Sequence, residues 1–389
     1  MNGERGTGIG GQGSGGGKWS SQTGPRVRFL ELHLREDAEP VATAIRRVID
    51  RGWFILGPEC EAFERELADT FGASHAIGVG NGTDALALIL KALGIGPGDD
   101  VITSPLSATF SALAIQMAGA RPVFADIDAE RLTLAPDAVD AAISPNTAAI
   151  LPVHLYGQPA DTTLLKAIAD RHRLALVEDC CQAHLATCEG VPVGTLAHAG
   201  AFSFYPTKNL GALGDGGAII TNDAALAARL RRLRNGGQTD RYRHVEPGVN
   251  SRLDELQAAV LRARLPFLRS WTARRRALAS RYRSRLTASA VTTPPELDPG
   301  HVYHLFPVRS HARDELQRHL AQQGVETLIH YPVPITRQLA MAGERPADCP
   351  IADEVCDQIL SLPLHPGLTE EDVEFVAEAV VAFAHQWSA

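Results

Sequence analysis

Seven short apolar runs, separated by stretches of helical periodicity, constrain the fold of this chain more than any other feature. They are Ala76 to Val79, Val101 to Thr103, Pro122 to Phe124, Ala149 to His154, Leu174 to Val177, Ala201 to Phe204 and Ala218 to Thr221. Runs this short and this continuously apolar read as strands covered on both faces. Between several of them lie helical stretches, for instance Asp84 to Leu93, Asp161 to His172 and Asp223 to Leu233. Such alternation predicts an α/β fold with a mostly parallel, doubly wound sheet. Ligands of these sheets bind at the carboxyl ends of the strands, so the residues following each run are the candidates for function.

Two of those ends carry chemistry. In GAFSFYPTKNLGALGDGG, Gly200 to Gly217, an apolar and aromatic run breaks at Pro206 and sets Lys208 in a turn crowded with glycines. No other charged residue occurs between Gly190 and Asp215. An ammonium among apolar neighbours has its pKa pulled down, the condition for an amine that condenses with a carbonyl. A solvated turn lysine is the alternative on this stretch alone. Upstream, LALVEDCCQAHLA delivers Glu178 and Asp179 at a strand end, with Gln182 and His184 just beyond. Acid, glutamine and histidine together admit a metal site, but no cysteine or histidine pairs stand at zinc spacing, and no metal is predicted. A pyridoxal 5′-phosphate (PLP) site accounts for both halves: it needs a lysine for the imine and a carboxylate to keep the pyridine nitrogen protonated.

Asn81, Gly82, Thr83 and Asp84 follow a strand and open a helix, where unpaired N–H groups and the positive helix end form a phosphate cradle. A plain Asn-Gly turn capping a helix is the alternative reading. Ser203 lies in a buried strand, where its hydroxyl needs a partner, either the phosphate or a neighbouring carbonyl.

Nine pieces of the chain, in order, make the picture specific: GWFILGPECEAFE, GVGNGTDAL, RPVFADID, LPVHLYGQ, VEDCCQAHLA, SFYPTKNLGALGDGG, GVNSRLDELQAA, IHYPVP and SLPLHPGLTEED. They cover about Arg26 to the C-terminus. On them the chain resembles the sugar aminotransferases of the DegT/DnrJ/EryC1/StrS family, within the fold type I PLP enzymes. The resemblance implies a seven-stranded large domain, here residues 25–265, and a smaller C-terminal α+β domain, residues 266–389. It implies that Lys208 holds the cofactor and then shuttles a proton, that Asp179 pairs with the pyridine nitrogen, and that Gln182 bonds the phenolic oxygen. Gly82, Thr83 and Ser203 contact the phosphate, and His184 supports Asp179 from beneath. Asn250 reaches the partner's phosphate across a homodimer; the residues alone give an asparagine near a helix start, an N-cap candidate. His330 and Tyr331 touch the sugar or pack into core, and His301, Tyr303 and His304 are weaker candidates. One place departs from the family. Its PxxT[FWY] segment stacks an aromatic on the ring, whereas this chain reads SPLSATFSA, which puts Ala108 in that position without a gap or Phe110 by matching the Thr-aromatic pair.

The implied reaction moves an amino group from an amino acid donor, L-glutamate, to a nucleotide-linked keto-6-deoxyhexose. The turn NLGALGDGG resembles the branch acting on dTDP-3-keto sugars more than the 4-keto branch, which is the alternative. A PLP sugar dehydratase would replace the lysine with histidine, and a non-catalytic relative would have lost Lys208 or Asp179.

Composition sets the remaining bounds. The 389 residues carry a net charge of −8, which argues against a nucleic-acid partner. Nine arginines between Arg262 and Arg285 read as a solvated helix face or, alternatively, a contact to an anionic nucleotide. Six cysteines without a framework spacing point to reduced thiols and the cytoplasm. No apolar run approaches the roughly 20 residues of a membrane helix. Residues 1–24 hold nine glycines in the first 18 and read as a disordered leader. The C-terminal part is read as a strand over Val302 to Val308, a helix over Arg313 to Gln323, a strand over Val325 to His330, and helices over Ala352 to Leu360 and Glu370 to Phe383.

Overall fold

The computed structural model describes residues 24–287, 291–344 and 347–387; the leader, but for Gly24, lies outside the described residues. All seven apolar runs enter one sheet: β1 (His75–Val79), β2 (Asp100–Thr103), β3 (Arg121–Phe124), β4 (Thr147–Leu151), β5 (Ala175–Asp179), β6 (Ala199–Ser203) and β7 (Gly217–Thr221). The spatial order is β1-β7-β6-β5-β4-β2-β3. Neighbours from β6 to β3 run parallel, and β7 lies antiparallel between β6 and β1. Hence every strand but β7 ends at the same edge.

The strands alternate their side chains between two apolar layers. Val177, Ala201 and Ile219 face α3 (Gly82–Ala92), α4 (Phe110–Met117) and α7 (Ala224–Leu233). On the other face, Phe202, Ala218 and Ile220 meet α2 (Pro58–Phe71) and α8 (Glu255–Arg264), while Ile150 and Leu176 meet α5 (Pro136–Ala142) and α6 (Thr162–His172). Helix limits follow local chemistry. Asp161 and Asp223 accept first-turn N–H groups of α6 and α7. Gly52 and Gly72, with φ of 70° and 69°, end α1 (Ala38–Arg51) and α2 in a left-handed conformation that glycine adopts without Cβ strain. The buried Glu255 carboxylate takes the N–H groups of Gly57, Glu59 and Cys60, closing the start of α2.

The C-terminal part departs from the sequence expectation in several places. The strand expected over Val302 to Val308 is β8 (Phe306–Arg309) alone; Val302 to Leu305 form an irregular segment whose amides bond Gly157 and Tyr156 of the large layer. Val325 to His330 is no strand but two isolated bridges, Val325 to Val27 and Leu328 to Ser361. The helix expected to reach Leu360 is α11 (Pro350–Gln358), and Ile359 to Leu362 turn into β9, antiparallel to β8. Helices α9 (Leu268–Leu286), α10 (Arg313–Gln322) and α12 (Glu370–Trp387) pack around this pair, with Val27 in the same core. We propose the domain division at 265/266, beside the Pro266 turn that separates α8 from α9.

The arginine-rich stretch is a solvated face only in part: Arg269, Arg276 and Arg285 are exposed, and most of the others are engaged. Arg262 pairs with Glu59 and Glu66, Arg264 with Asp37, Arg281 with Glu370 and Glu374, and Arg285 with Glu374. Arg275 is buried and donates to the carbonyls of Tyr303, His304 and Leu364, and burial lowers its pKa to about 10. These contacts tie α8 and α9 to the rest of the molecule.

Candidate active site

A cavity of about 1250 Å³ opens at the carboxyl edge of the parallel strands, where the C-terminal part overhangs the sheet. The ends of β1, β2, β5 and β6 contribute to its wall. Asn81 to Asp84 follow β1, Ser107 and Ala108 follow β2, and Asp179 ends β5 with Cys181 and Gln182 beyond it. Ser203 ends β6, and Tyr205, Thr207 and Lys208 follow it. His304, His330 and Tyr331 close the cavity from the C-terminal side.

Lys208 stands in a tight turn. Its N–H donates to the Tyr205 carbonyl at 2.8 Å, and the Ala212 N–H returns to the Phe204 carbonyl at 2.7 Å. A Cβ on Gly211 would fall 2.4 Å from the Pro206 carbonyl oxygen, so the turn closes only on glycine. Burial holds the Lys208 ammonium below the ordinary lysine range, against the opposing pull of Cys181 and the Asp179 carboxylate. No hydrogen bond or ion pair engages its Nζ among the described residues.

Asp179 is held from two sides. The Cys181 N–H donates to Oδ1 at 3.1 Å, and the Ser111 hydroxyl donates to Oδ2 at 2.8 Å. Ser111 was not foreseeable: it stands 68 positions away in α4, in a segment whose strand-to-helix turn carries no marker of this contact. His184, expected beneath Asp179, makes no such bond. Its ring bonds no carboxylate and is packed among Phe71, Phe202 and Phe204. Burial, then the Lys208 charge, push its pKa down to about 3, so it is a neutral core imidazole.

The helix start at Gly82 has the form of an anion cradle. The Asn81 side chain accepts the Asp84 N–H at 2.8 Å, and no acceptor meets the N–H groups of Gly82 and Thr83 among the described residues. A Cβ on Gly82 would lie 2.6 Å from Cys181 Sγ and 2.9 Å from Ser203 Cβ, so only glycine lets α3 approach β6 this closely. The Ser203 hydroxyl, which lines the cavity, accepts the Tyr205 N–H at 3.3 Å. An amine with a lowered pKa, a carboxylate and a phosphate-sized nest of donors in one cavity fit PLP.

Gln182 bridges the two parts of the chain. Its Oε1 accepts the Tyr156 N–H at 2.8 Å and its Nε2 donates to the Tyr331 hydroxyl at 3.2 Å. The His330 ring meets Ser361 Oγ at 3.0 Å, and the Tyr156 hydroxyl donates to the His330 carbonyl. Burial lowers the His330 pKa to about 4 and raises that of Tyr331 to about 12. His304 also lines the cavity, with its ring 3.2 Å from Asn209 Oδ1, whereas His301 and Tyr303 stack on one another outside it.

Two expected residues stand differently. Asn250 is exposed, is not among the cavity-lining residues, and bridges to Asn235; the N-cap of α8 is Asp254, not Asn250. Phe110 lines the cavity at its outer rim, 62% exposed, and Ala108 lines it further along the same segment. Behind the sheet edge, the ligand atoms of His154, Glu178 and Cys180 lie within 4.8 Å of one another, all buried. There His154 Nε2 faces Glu178 at 2.9 Å while Nδ1 accepts the Ala160 N–H at 3.0 Å, so both nitrogens are already engaged.

The family model described as the DegT/DnrJ/EryC1/StrS aminotransferase family matches residues 35–381. A dTDP-3-amino-3,4,6-trideoxy-alpha-D-glucose transaminase of Streptomyces venezuelae is 48% identical over 370 residues, covering 93% of this chain and 97% of that protein. Among solved structures, S. venezuelae DesV in complex with a ketimine intermediate superposes with a TM-score of 0.89 at 48% identity, over 92% of this chain and 99% of that one. NtdA of Bacillus subtilis with bound cofactor PMP superposes with a TM-score of 0.85 at 31% identity, over 91% and 83%.

Proposed function

Since the chain belongs to the DegT/DnrJ/EryC1/StrS aminotransferase family and is a PLP-dependent sugar aminotransferase, we propose that it transfers an amino group from L-glutamate to a dTDP-3-keto-6-deoxyhexose. The observation that carries this reading is the shared cavity of Lys208 and Asp179. Support for the sugar comes from the 48% identity, over nearly the full length of both chains, to a transaminase whose name specifies a dTDP-3-amino sugar.

Each residue then has a role at a stated atom. Lys208 Nζ anchors the cofactor and moves a proton, and burial favours the neutral amine this requires by lowering its pKa. PLP contributes an aldehyde for amines to condense with and a ring that accepts the electrons released when a neighbouring C–H is broken. Asp179 supplies the carboxylate for the ring nitrogen. The N–H groups of Gly82 and Thr83, with the Ser203 hydroxyl, bind the phosphate at the positive end of α3. Gln182 binds the phenolic oxygen and, through Tyr331, links cofactor to substrate; His330 and Tyr331 face the sugar. Ala108 and Phe110 form the wall over the ring.

We also propose a homodimer in which the partner's Asn250 completes the phosphate site. Asn250 is exposed and does not line its own chain's cavity, and in the same segment Tyr242, Val245 and Val249 are exposed as well. The six free cysteines support a cytoplasmic location, and no helix among the described residues is long and apolar enough to cross a membrane.

Purified enzyme supplied with glutamate and either a 3-keto or a 4-keto dTDP-6-deoxyhexose tests the reading. Formation of the 3-amino sugar with 2-oxoglutarate is expected; turnover of the 4-keto sugar alone would replace this assignment with the other branch. Borohydride reduction followed by peptide mapping should place the cofactor on Lys208, and label elsewhere ends the reading altogether.

A further inference from the structure

Of the two oxygens of Asp179, Oδ1 is bonded by the N–H two residues on, a contact set by the strand end itself. Oδ2 is bonded from another element, by Ser111 Oγ in the first turn of α4. Ser111 is 2% exposed, so its hydroxyl must find a partner inside the protein. In a helix the ordinary partner is a carbonyl one turn back. Here the hydroxyl turns to a carboxylate instead, with Ser107 Oγ its other polar neighbour at 3.5 Å. A carboxylate accepts such a bond as the ion, and an O–H···O⁻ bond is among the strong, charge-assisted ones. The same turn carries Ala108 and Phe110, so the bond also ties the cavity wall to the charge.

We propose that Ser111 is a positioning residue for the transamination: its hydroxyl fixes the side-chain orientation of Asp179 and aims the carboxylate at the cofactor. The inference rests on the aminotransferase reading and adds a residue to it. The ionisable groups that face Asp179 are Lys208, Cys181 and Tyr331, with Cys180 behind it. His184, His304 and His330 in turn face Lys208. None of these bonds the Ser111 hydroxyl, whose polar neighbours are Asp179 Oδ2 and Ser107 Oγ, so its removal acts on them only through Asp179.

The test is the pH titration of the visible absorption of the lysine-bound cofactor, in the holoenzyme, together with kinetics. A ring nitrogen that keeps its proton makes the neighbouring lysine linkage a weaker base. Ser111→Ala is therefore expected to move the titration midpoint upward and to lower kcat by about ten-fold, the effect of one hydrogen bond to a charged group. KM for glutamate should stay near wild type. Ser111→Cys, with a weak S–H donor, should move the midpoint part-way. On an Asp179→Asn background, Ser111→Ala should change kcat little, because the two residues act as one unit. An unmoved midpoint in both Ser111 variants, or an equal loss on the Asn background, overturns the proposal. Wild-type activity of Asp179→Asn alone would instead overturn the functional reading.

Discussion

Replacing Gly82 with alanine probes the cofactor cradle at its tightest point. The new methyl would lie 2.6 Å from Cys181 Sγ and 2.9 Å from Ser203 Cβ, where carbon contacts normally settle at about 3.5–4.0 Å. The two neighbours differ in how they can yield. The Cys181 thiol can swing about one torsion, but Ser203 Cβ is fixed to its strand and moves only with β6. Relief therefore requires α3 to lift from the sheet by several tenths of an ångström or more, which widens the gap between the Gly82 and Thr83 N–H groups and the Ser203 hydroxyl. Overpacking of this kind costs about 1–3 kcal/mol. In urea titrations of the apoprotein, Gly82→Ala should lose stability in that range, and fluorescence titration should show PLP affinity reduced by about ten-fold for each 1.4 kcal/mol lost from the cradle. Adding Cys181→Ala removes the 2.6 Å contact but not the 2.9 Å one, so the double variant should recover only part of both losses. A Gly82→Ala protein with unchanged unfolding and unchanged PLP affinity would refute the argument that backbone proximity, and not merely helix capping, fixes glycine at this position.

Three further outcomes follow from the same contacts. The pKa of Lys208 is lowered in the folded apoprotein, so between that value and 10.5 the unfolded chain binds more protons and stability rises with pH; Lys208→Met should flatten this rise in melts between pH 7 and 10. His184 is neutral at a pKa of about 3 against 6.5 unfolded, so it costs stability as pH falls below 6.5 until about 3; His184→Phe should keep PLP binding and reduce the acid slope by about one proton. Glu255→Ala leaves the N–H groups of Gly57, Glu59 and Cys60 buried without their acceptor and should destabilise the protein by about 1–3 kcal/mol or more, measured by urea unfolding.

The amino-acid sequence by itself determined the elements whose chemistry is local. Continuous apolar runs gave the seven strands, because burial on both faces demands apolar side chains at every position. Asp161, Asp223, Gly52 and Gly72 marked helix ends through bonds or backbone angles within one turn. Lys208 was legible because a lone cation among glycines and apolar residues has no local reason to be there. Where local chemistry was silent, the sequence misled. No breaker separates Gln358 from Ile359, so a helix was expected where β9 begins, and pairing with β8 decided otherwise. The arginines of α9 looked solvated until carboxylates and carbonyls from distant segments met them. His184 looked like support for Asp179, but the turn after β5 places it in the aromatic core, and Ser111 took the carboxylate instead. Only the tertiary structure could decide such contacts, because a hydrogen bond across 68 residues depends on which strand ends the sheet order brings together, and that order is fixed by burial over the whole chain.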